Sequence, residues 1–269
     1  MRAQLGQTPI IWPLLLVAAG LLLLLSNFML ISLNVLEFWP IVLILIGIQL
    51  LWRGDLAPSW QAQRFGITRG SVQSGNLEVS SGEIDVKLRA SRRADRLITG
   101  LYTARSRPAL VVRNNRAALS MRRGNTWLFS FADWEMNIAR DLHWSLLVSA
   151  HLGQIDADLR DVTINQAFIA SGIGDVRVVC PLQVTGPLFM RSTFGDVRLA
   201  IPQGVPAIIH IQAGPLCRII RHSQRFLEQP DRAIVTDTYD PDAPALNITV
   251  SSTFGNIHLI TAPASPSSQ

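Results

Sequence analysis

Three glycines, Gly153, Gly174 and Gly195, stand 21 residues apart, and each opens the same short pattern. A polar residue follows the glycine, and apolar residues then occupy the second, fourth and sixth positions after it. The octets are Leu152-Gly-Gln-Ile-Asp-Ala-Asp-Leu159, Ile173-Gly-Asp-Val-Arg-Val-Val-Cys180 and Phe194-Gly-Asp-Val-Arg-Leu-Ala-Ile201. Earlier and later forms run from Ser81 to Leu88 and from Phe254 to Ile260. Successive strand side chains point to opposite faces, so Ile155, Ala157 and Leu159 share a face with Val176, Val178 and Cys180, and with Val197, Leu199 and Ile201. A fixed period near twenty with a constant strand phase predicts stacked β layers, each covering the apolar face of the last. Outward positions hold Asp156, Arg177 and Arg198, and in-register stacking would let Asp156 and Arg177 pair.

Further alternating stretches predict strands at Ala109–Val112, Ala117–Met121, Thr126–Phe131, Trp144–Ser149, Val162–Ala170, Ala207–Gln212 and Leu246–Ser251. Pro181, Pro202 and Pro206 are read as falling just after strands, where a missing N–H breaks no ladder. The repeated Ser-Thr-Phe-Gly at Ser192 and Ser252 predicts a final rung after an inserted, less regular loop from Arg221 to Ala245. No long helical pattern appears in this half.

The N-terminal part obeys a different rule. From Pro9 to Phe28 twenty residues pass without an ionisable group, about 30 Å of helix and enough to cross one hydrocarbon core. No small-residue cleavage site follows Leu25, which argues against a signal peptide. A second apolar run from about Val35 to Trp52 carries only Glu37, at its edge, so the pair predicts a two-helix transmembrane hairpin. Trp12-Pro13 with Gly20 recurs 27 residues later as Trp39-Pro40 with Gly47. Trp12, Trp39 and Trp52 suit the headgroup interface, Pro the first helical turn and Gly a close helix contact. Arg2 before the first span and Arg53 and Arg64 after the second place both termini and the β domain in the cytoplasm. The expected organisation is a tail over 1–8, the hairpin over 9–52, a linker over 53–75, a β-repeat domain over 76–262 and a tail over 263–269.

The run Phe38-Trp-Pro-Ile-Val-Leu-Ile-Leu-Ile-Gly47, followed by Gly-Asp-Val-Arg-Val repeats, resembles the bacterial LiaF-like family of membrane proteins. The β part is similar to toast-rack or adhesin-like domains. The resemblance extends from Pro9 to Ile260. It implies a membrane-anchored all-β protein, a two-helix transmembrane hairpin followed by a β-solenoid-like stacked-strand domain. It also implies a role in cell-envelope stress responses, restraining a membrane partner such as a sensor kinase; no family residue is carried over.

Residue chemistry offers no catalytic set. His143, His151, His210, His222 and His258 lack metal-ligand spacing. Asp231, Asp237, Asp240 and Asp242 lack the order of a calcium loop. Neither a nucleophile elbow nor a phosphate-binding glycine loop is present. Cys180 and Cys217 fit no zinc motif and no disulfide-rich scaffold, and their spacing leaves pairing open. No enzyme activity, metal or cofactor is therefore expected.

Charge is more informative. Arg64 to Arg123 holds thirteen cations against four carboxylates, a net +9, whereas Gly124 to Gln269 holds nine against thirteen, a net −4. Within the basic half, Arg89, Arg92, Arg93 and Arg96 form a local run suited to anionic headgroups; a solvated surface is the competing reading. Nucleic acid is not expected as a partner, since exposed aromatics and a groove-sized helix are missing. The sequence thus predicts a non-enzymatic membrane-anchored regulator or scaffold that contacts membrane lipids, a membrane-bound protein partner and, through its strand edges, other copies of itself. The alternative is a structural adhesin-like surface protein with its β domain outside the cell.

Overall fold

A computed structural model of the protein describes residues 63–102, 106–123, 133–230 and 232–263. The chain divides into two compact units, Met1–Trp52 and Arg53–Gln269. The predicted hairpin, with Trp12, Trp39 and Trp52, and the predicted strand Thr126–Phe131 lie outside the described residues. Those described are all β. In chain order the strands are β1 (Gln63–Thr68), β2 (Ser74–Ser80), β3 (Val86–Ala90), β4 (Arg96–Tyr102), β5 (Ala109–Arg113), β6 (Arg116–Arg122) and β7 (Trp134–Ile138). Next come β8 (His143–Ala150), β9 (Ile155–Asp158), β10 (Thr163–Ile173), β11 (Val176–Val179), β12 (Leu188–Phe194), β13 (Val197–Pro202) and β14 (Ala207–Ala213). Last are β15 (Ile219–Arg221), β16 (Phe226–Glu228), β17 (Ile234–Thr236), β18 (Leu246–Phe254) and β19 (Ile257–Ala262).

These strands form two open sheets of nine and ten strands. One runs β1-β4-β7-β3-β9-β11-β13-β19-β15, and the other runs β16-β17-β14-β18-β12-β10-β8-β2-β6-β5. The chain steps between them, so each layer of the stack is one strand from each sheet. In space the layers follow β6/β7, β2/β3, β8/β9, β10/β11, β12/β13, β18/β19 and β14/β15, all in parallel register. At both ends the order in space departs from the order in sequence. The chain lays β2/β3 and then β6/β7 outside it. Likewise it lays β14/β15 before returning to insert β18/β19 inside it. Antiparallel strands close the margins: β4 and β1 beyond β7, β5 beyond β6, and β17 and β16 beyond β14.

The inward positions read from the repeat are the core. Trp134, Val86, Ile155, Val176, Val197 and Ile257 are successive register partners and are fully buried. Met136, Leu88, Ala157, Val178, Leu199 and Leu259 form the next column, and inward side chains of the other sheet complete a single apolar cluster. Burying a Leu, Ile or Val side chain in such a layer contributes roughly 1.5–3 kcal/mol.

The corner glycines answer two demands at once. Gly174, Gly195 and Gly255 have φ of 145°, 145° and 137°, which L side chains rarely adopt. A Cβ at Gly195 would also stand 2.4 Å from the carbonyl oxygen of Gly174, and one at Gly255 2.2 Å from that of Gly195. The polar residue after the glycine reaches the neighbouring layer at Gly174 and Gly195, and Asp85, three residues after Gly82, does the same. Asp85 Oδ1 accepts from the Gln154 N–H at 2.7 Å, Asp175 Oδ1 from Asp196 N–H at 3.0 Å and Asp196 Oδ1 from Asn256 N–H at 2.8 Å. Buried Ser171 and Ser192 donate to the carbonyls of Gly153 and Gly174 at 2.8 and 3.0 Å. These bonds tie successive corners to one another and satisfy the buried serine hydroxyls.

Four local readings change. The linker stretch contains β1, whose inward Phe65 and Ile67 pack on the core. Asp156 and Arg177 are register partners, but Asp156 is engaged by its diagonal neighbour Arg89 at 2.6 Å and Arg177 lies 3.6 Å from Asp175, two residues before it in the same segment. The octet at Gly255 is last in sequence yet sits one layer inside the end of the stack; the stretch read as an inserted loop supplies part of β15 together with β16 and β17. Pro202 closes β13 itself, and Pro206 precedes β14.

Candidate functional site: an arginine-lined groove and an apolar ridge

Parallel pairing of β3 with β7 sets Ala90 beside Ile138, so the loop after β3 runs next to the residues after β7. Antiparallel pairing of β4 with β7 and β1 brings Arg96 and Arg64 to the same place. The result is an open groove of about 960 Å³ that gathers Arg64, Arg89, Arg92, Arg93, Arg96 and Arg140. All four arginines singled out from the sequence line it, and two more join them.

Their roles differ. Arg89 belongs to the frame, bonding both carboxylate oxygens of Asp156 at 2.6 and 3.2 Å and the Asp156 carbonyl at 3.0 Å. Arg140 Nε donates to the Ser91 carbonyl at 2.9 Å, with a guanidinium nitrogen 3.7 Å from Asp161. Arg96 Nε lies 3.3 Å from Asp95. Arg64, Arg92 and Arg93 are exposed and make no ion pair with any described residue.

The loop carrying Arg92 and Arg93 is held from three sides. The Ser91 N–H donates to the Ile138 carbonyl at 2.7 Å, the buried Ser91 hydroxyl accepts from the Arg93 N–H at 3.1 Å, and Arg140 holds the Ser91 carbonyl. Such serine turns fix a loop without secondary structure. Three carboxylates, Glu135, Asp158 and Asp161, line the groove against six arginines, so a net positive charge remains. Burial pushes the Asp158 acid up, but hydrogen bonds from Arg160, at 2.6 and 3.0 Å, hold it below its ordinary range. Asp158 thus stays ionised with its charge answered chiefly by Arg160, which is outside the six groove arginines, and in part by Arg89.

The second surface is apolar. The residue before each corner glycine points outward, so Leu152, Ile173, Phe194 and Phe254 line one corner across four layers, 43%, 51%, 49% and 39% exposed. Phe194 and Phe254 are register partners with rings stacked at 4.8 Å. Sequence reasoning missed this ridge, although the octets carry it at their first position.

The remaining chemical candidates are dispersed. His258 sits between Asp196 at 3.3 Å and His222 at 3.0 Å rather than facing solvent. His143, His151 and His210 are exposed. Asp237 pairs with Arg225 at 2.9 Å, and Asp240 accepts the Asp242 N–H at 3.1 Å, while Asp231 lies outside the described residues. No group of three His, Cys, Asp or Glu side chains among the described residues is arranged around a cation. Cys180 and Cys217 are both free.

Residues 10–51 match the family described as the LiaI-LiaF-like transmembrane region. The structure is similar to that of a putative cell adhesion protein from Clostridium sporogenes, with a TM-score of 0.65 at 13% identity over 75% of this chain and 99% of that one. That likeness is one of fold. A putative adhesin from Bacteroides fragilis aligns over 76% of this chain and 99% of its own at 11% identity, but its TM-score of 0.23 carries no argument. No curated protein matches the chain. The matched transmembrane region and the stacked β fold together fit a LiaF-like membrane protein, as the sequence resemblance implied. The chain is membrane-associated through its N-terminal part and carries a β domain that shares its fold with the Clostridium protein.

Proposed function

We propose that this protein is a non-enzymatic, membrane-anchored regulator or scaffold, whose β domain holds a membrane-bound signalling protein of the envelope stress response. The ridge of Leu152, Ile173, Phe194 and Phe254 carries this reading. Four large apolar side chains in a continuous outward row on a rigid frame cost solubility, and exposed apolar rows of this kind mark contact surfaces. In this reading the two N-terminal spans contact the partner's transmembrane helices and the β domain its soluble part, on the cytoplasmic side. The LiaI-LiaF-like match supports anchoring beside such a partner.

The test is photo-crosslinking from the ridge in native membranes with the full chain, followed by mass spectrometry and an envelope-stress reporter. The expected result is capture of a sensor kinase or comparable signalling protein, lost in Phe194→Ser/Phe254→Ser, whose substituted side chains are outside the core. Absence of any envelope-signalling protein among the crosslinks, with an unchanged reporter, refutes the reading. The second reading, an adhesin-like surface protein, draws on the fold shared with the Clostridium protein. It requires an extracellular domain, which a C-terminal topology reporter decides.

A further inference from the structure

We propose that the arginine groove is a binding site for the phosphate group of anionic membrane lipids. Three cations, Arg64, Arg92 and Arg93, pair with no carboxylate among the described residues, whereas two of the groove's three acids, Asp158 and Asp161, lie against Arg160 and Arg140 and only Glu135 makes no such pair there. A guanidinium presents a planar fork of N–H donors that matches two phosphate oxygens, so adjacent arginines can share one phosphate. Arg92 and Arg93 are held for this by the Ser91 turn, which lowers the ordering cost of capture. Leu101, the register partner of Arg64, lines the same groove and sets apolar surface beside the guanidinium groups. A lipid offers both a phosphate and an apolar neighbour; a free phosphate offers only the first.

Chain connectivity favours the same ligand. Only residues 52–62 separate the matched transmembrane region from β1, which carries Arg64. Fully extended, they span about 40 Å. Lipid headgroups are thus permanently within the tether's range, at an effective concentration no soluble phosphate compound matches. This inference rests on membrane association alone and not on the regulatory reading. Failure of the ridge to crosslink a partner leaves it intact.

The experiment uses the full chain in lipid nanodiscs, with an environment-sensitive dye on Ala94→Cys in a Cys217→Ser background and a quencher on a minor fraction of headgroups. Quenching is expected to rise as phosphatidylglycerol replaces phosphatidylcholine. Arg92→Ala/Arg93→Ala should weaken the apparent affinity for the anionic lipid about 30-fold, five- to sixfold for each cation at the surface. Arg177→Ala/Arg198→Ala, the same loss of charge on other layers, should leave it within twofold. The thermal transition of Arg92→Ala/Arg93→Ala should match the parent, because those side chains make no bonds with any described residue. Equal quenching in both lipids would overturn the proposal. So would equal effects of the two double variants, which would mean diffuse attraction only. Displacement by millimolar inorganic phosphate would assign the groove to a soluble phosphate compound and overturn the lipid assignment.

Discussion

Replacing Gly195 by alanine tests the corner construction directly. The perturbation is one methyl group, yet it meets two separate obstacles. At φ of 145° an L residue is strained, a cost of about 1–3 kcal/mol. The new Cβ would also lie 2.4 Å from the Gly174 oxygen, whereas ordinary contact begins near 3.4 Å, so the layers must part by about 1 Å. They cannot do so freely. The Gly174 N–H is bonded to the Phe194 carbonyl at 2.8 Å and the Asp196 N–H to Asp175 at 3.0 Å. Forcing an extra carbon into a packed site adds a further 1–3 kcal/mol or so. A total near 4 kcal/mol lowers the midpoint by about 8–16 °C, at 2–4 °C per kcal/mol for a domain of this size.

Two other glycines separate the two terms. Gly204 has φ of 84° but open space around its Cβ position, so Gly204→Ala should lose only the backbone part, about 1–2 kcal/mol. Gly66 has neither obstacle, its nearest neighbours standing at 3.6 Å, and Gly66→Ala should melt with the parent. Thermal unfolding of the full chain in detergent, followed by the fluorescence of the buried Trp134 and Trp144, gives the ranking. If Gly195→Ala melted together with Gly204→Ala, the close approach between layers would carry no cost and the reasoning would fail.

The two thiols should behave oppositely. Burial pushes the Cys180 thiol far above its ordinary value, so alkylation of the native protein should modify half-buried Cys217 and reach Cys180 only after unfolding; equal rates by mass spectrometry would contradict the layer assignment. Asp158 gives a pH test. Its folded acid lies below its ordinary value, so its contribution is present above pH 3.8 and disappears as pH falls through the lower folded value. Asp158→Asn should therefore be less stable than the parent at neutral pH and converge with it in strong acid, and a pH-independent gap between the two melting curves would remove the charged pair as the cause.

The stacked core was readable because its signal is local and periodic. A glycine at a fixed offset from each apolar triplet sets the phase, and that phase survives from Ile155 to Ile257. The end layers lack the marker. Trp134–Ile138 alternates cleanly but has no corner glycine, and Ile219–Arg221 is only three residues long. Their positions follow from pairing across tens of residues, as do the antiparallel margins. The groove was half readable for the same reason. Arg89, Arg92, Arg93 and Arg96 are neighbours in sequence, whereas Arg64 and Arg140 arrive through the pairing of β1 with β4 and of β7 with β3. The Asn114-Asn115 turn joining β5 and β6, with φ of 48° and 60°, is the one margin element carrying a local cue, since asparagine tolerates that conformation.

The inversion of layer order at each end has a consequence for how such a molecule can change length. Both ends of the stack are built by long-range returns of the chain, but its middle is a simple coil in which one turn consumes 21 residues. Duplicating a single turn between β9 and β13 would add about 4.8 Å of height while leaving both of them untouched. Related proteins could therefore differ in reach by whole turns, like a ruler cut to fit, without redesigning either end.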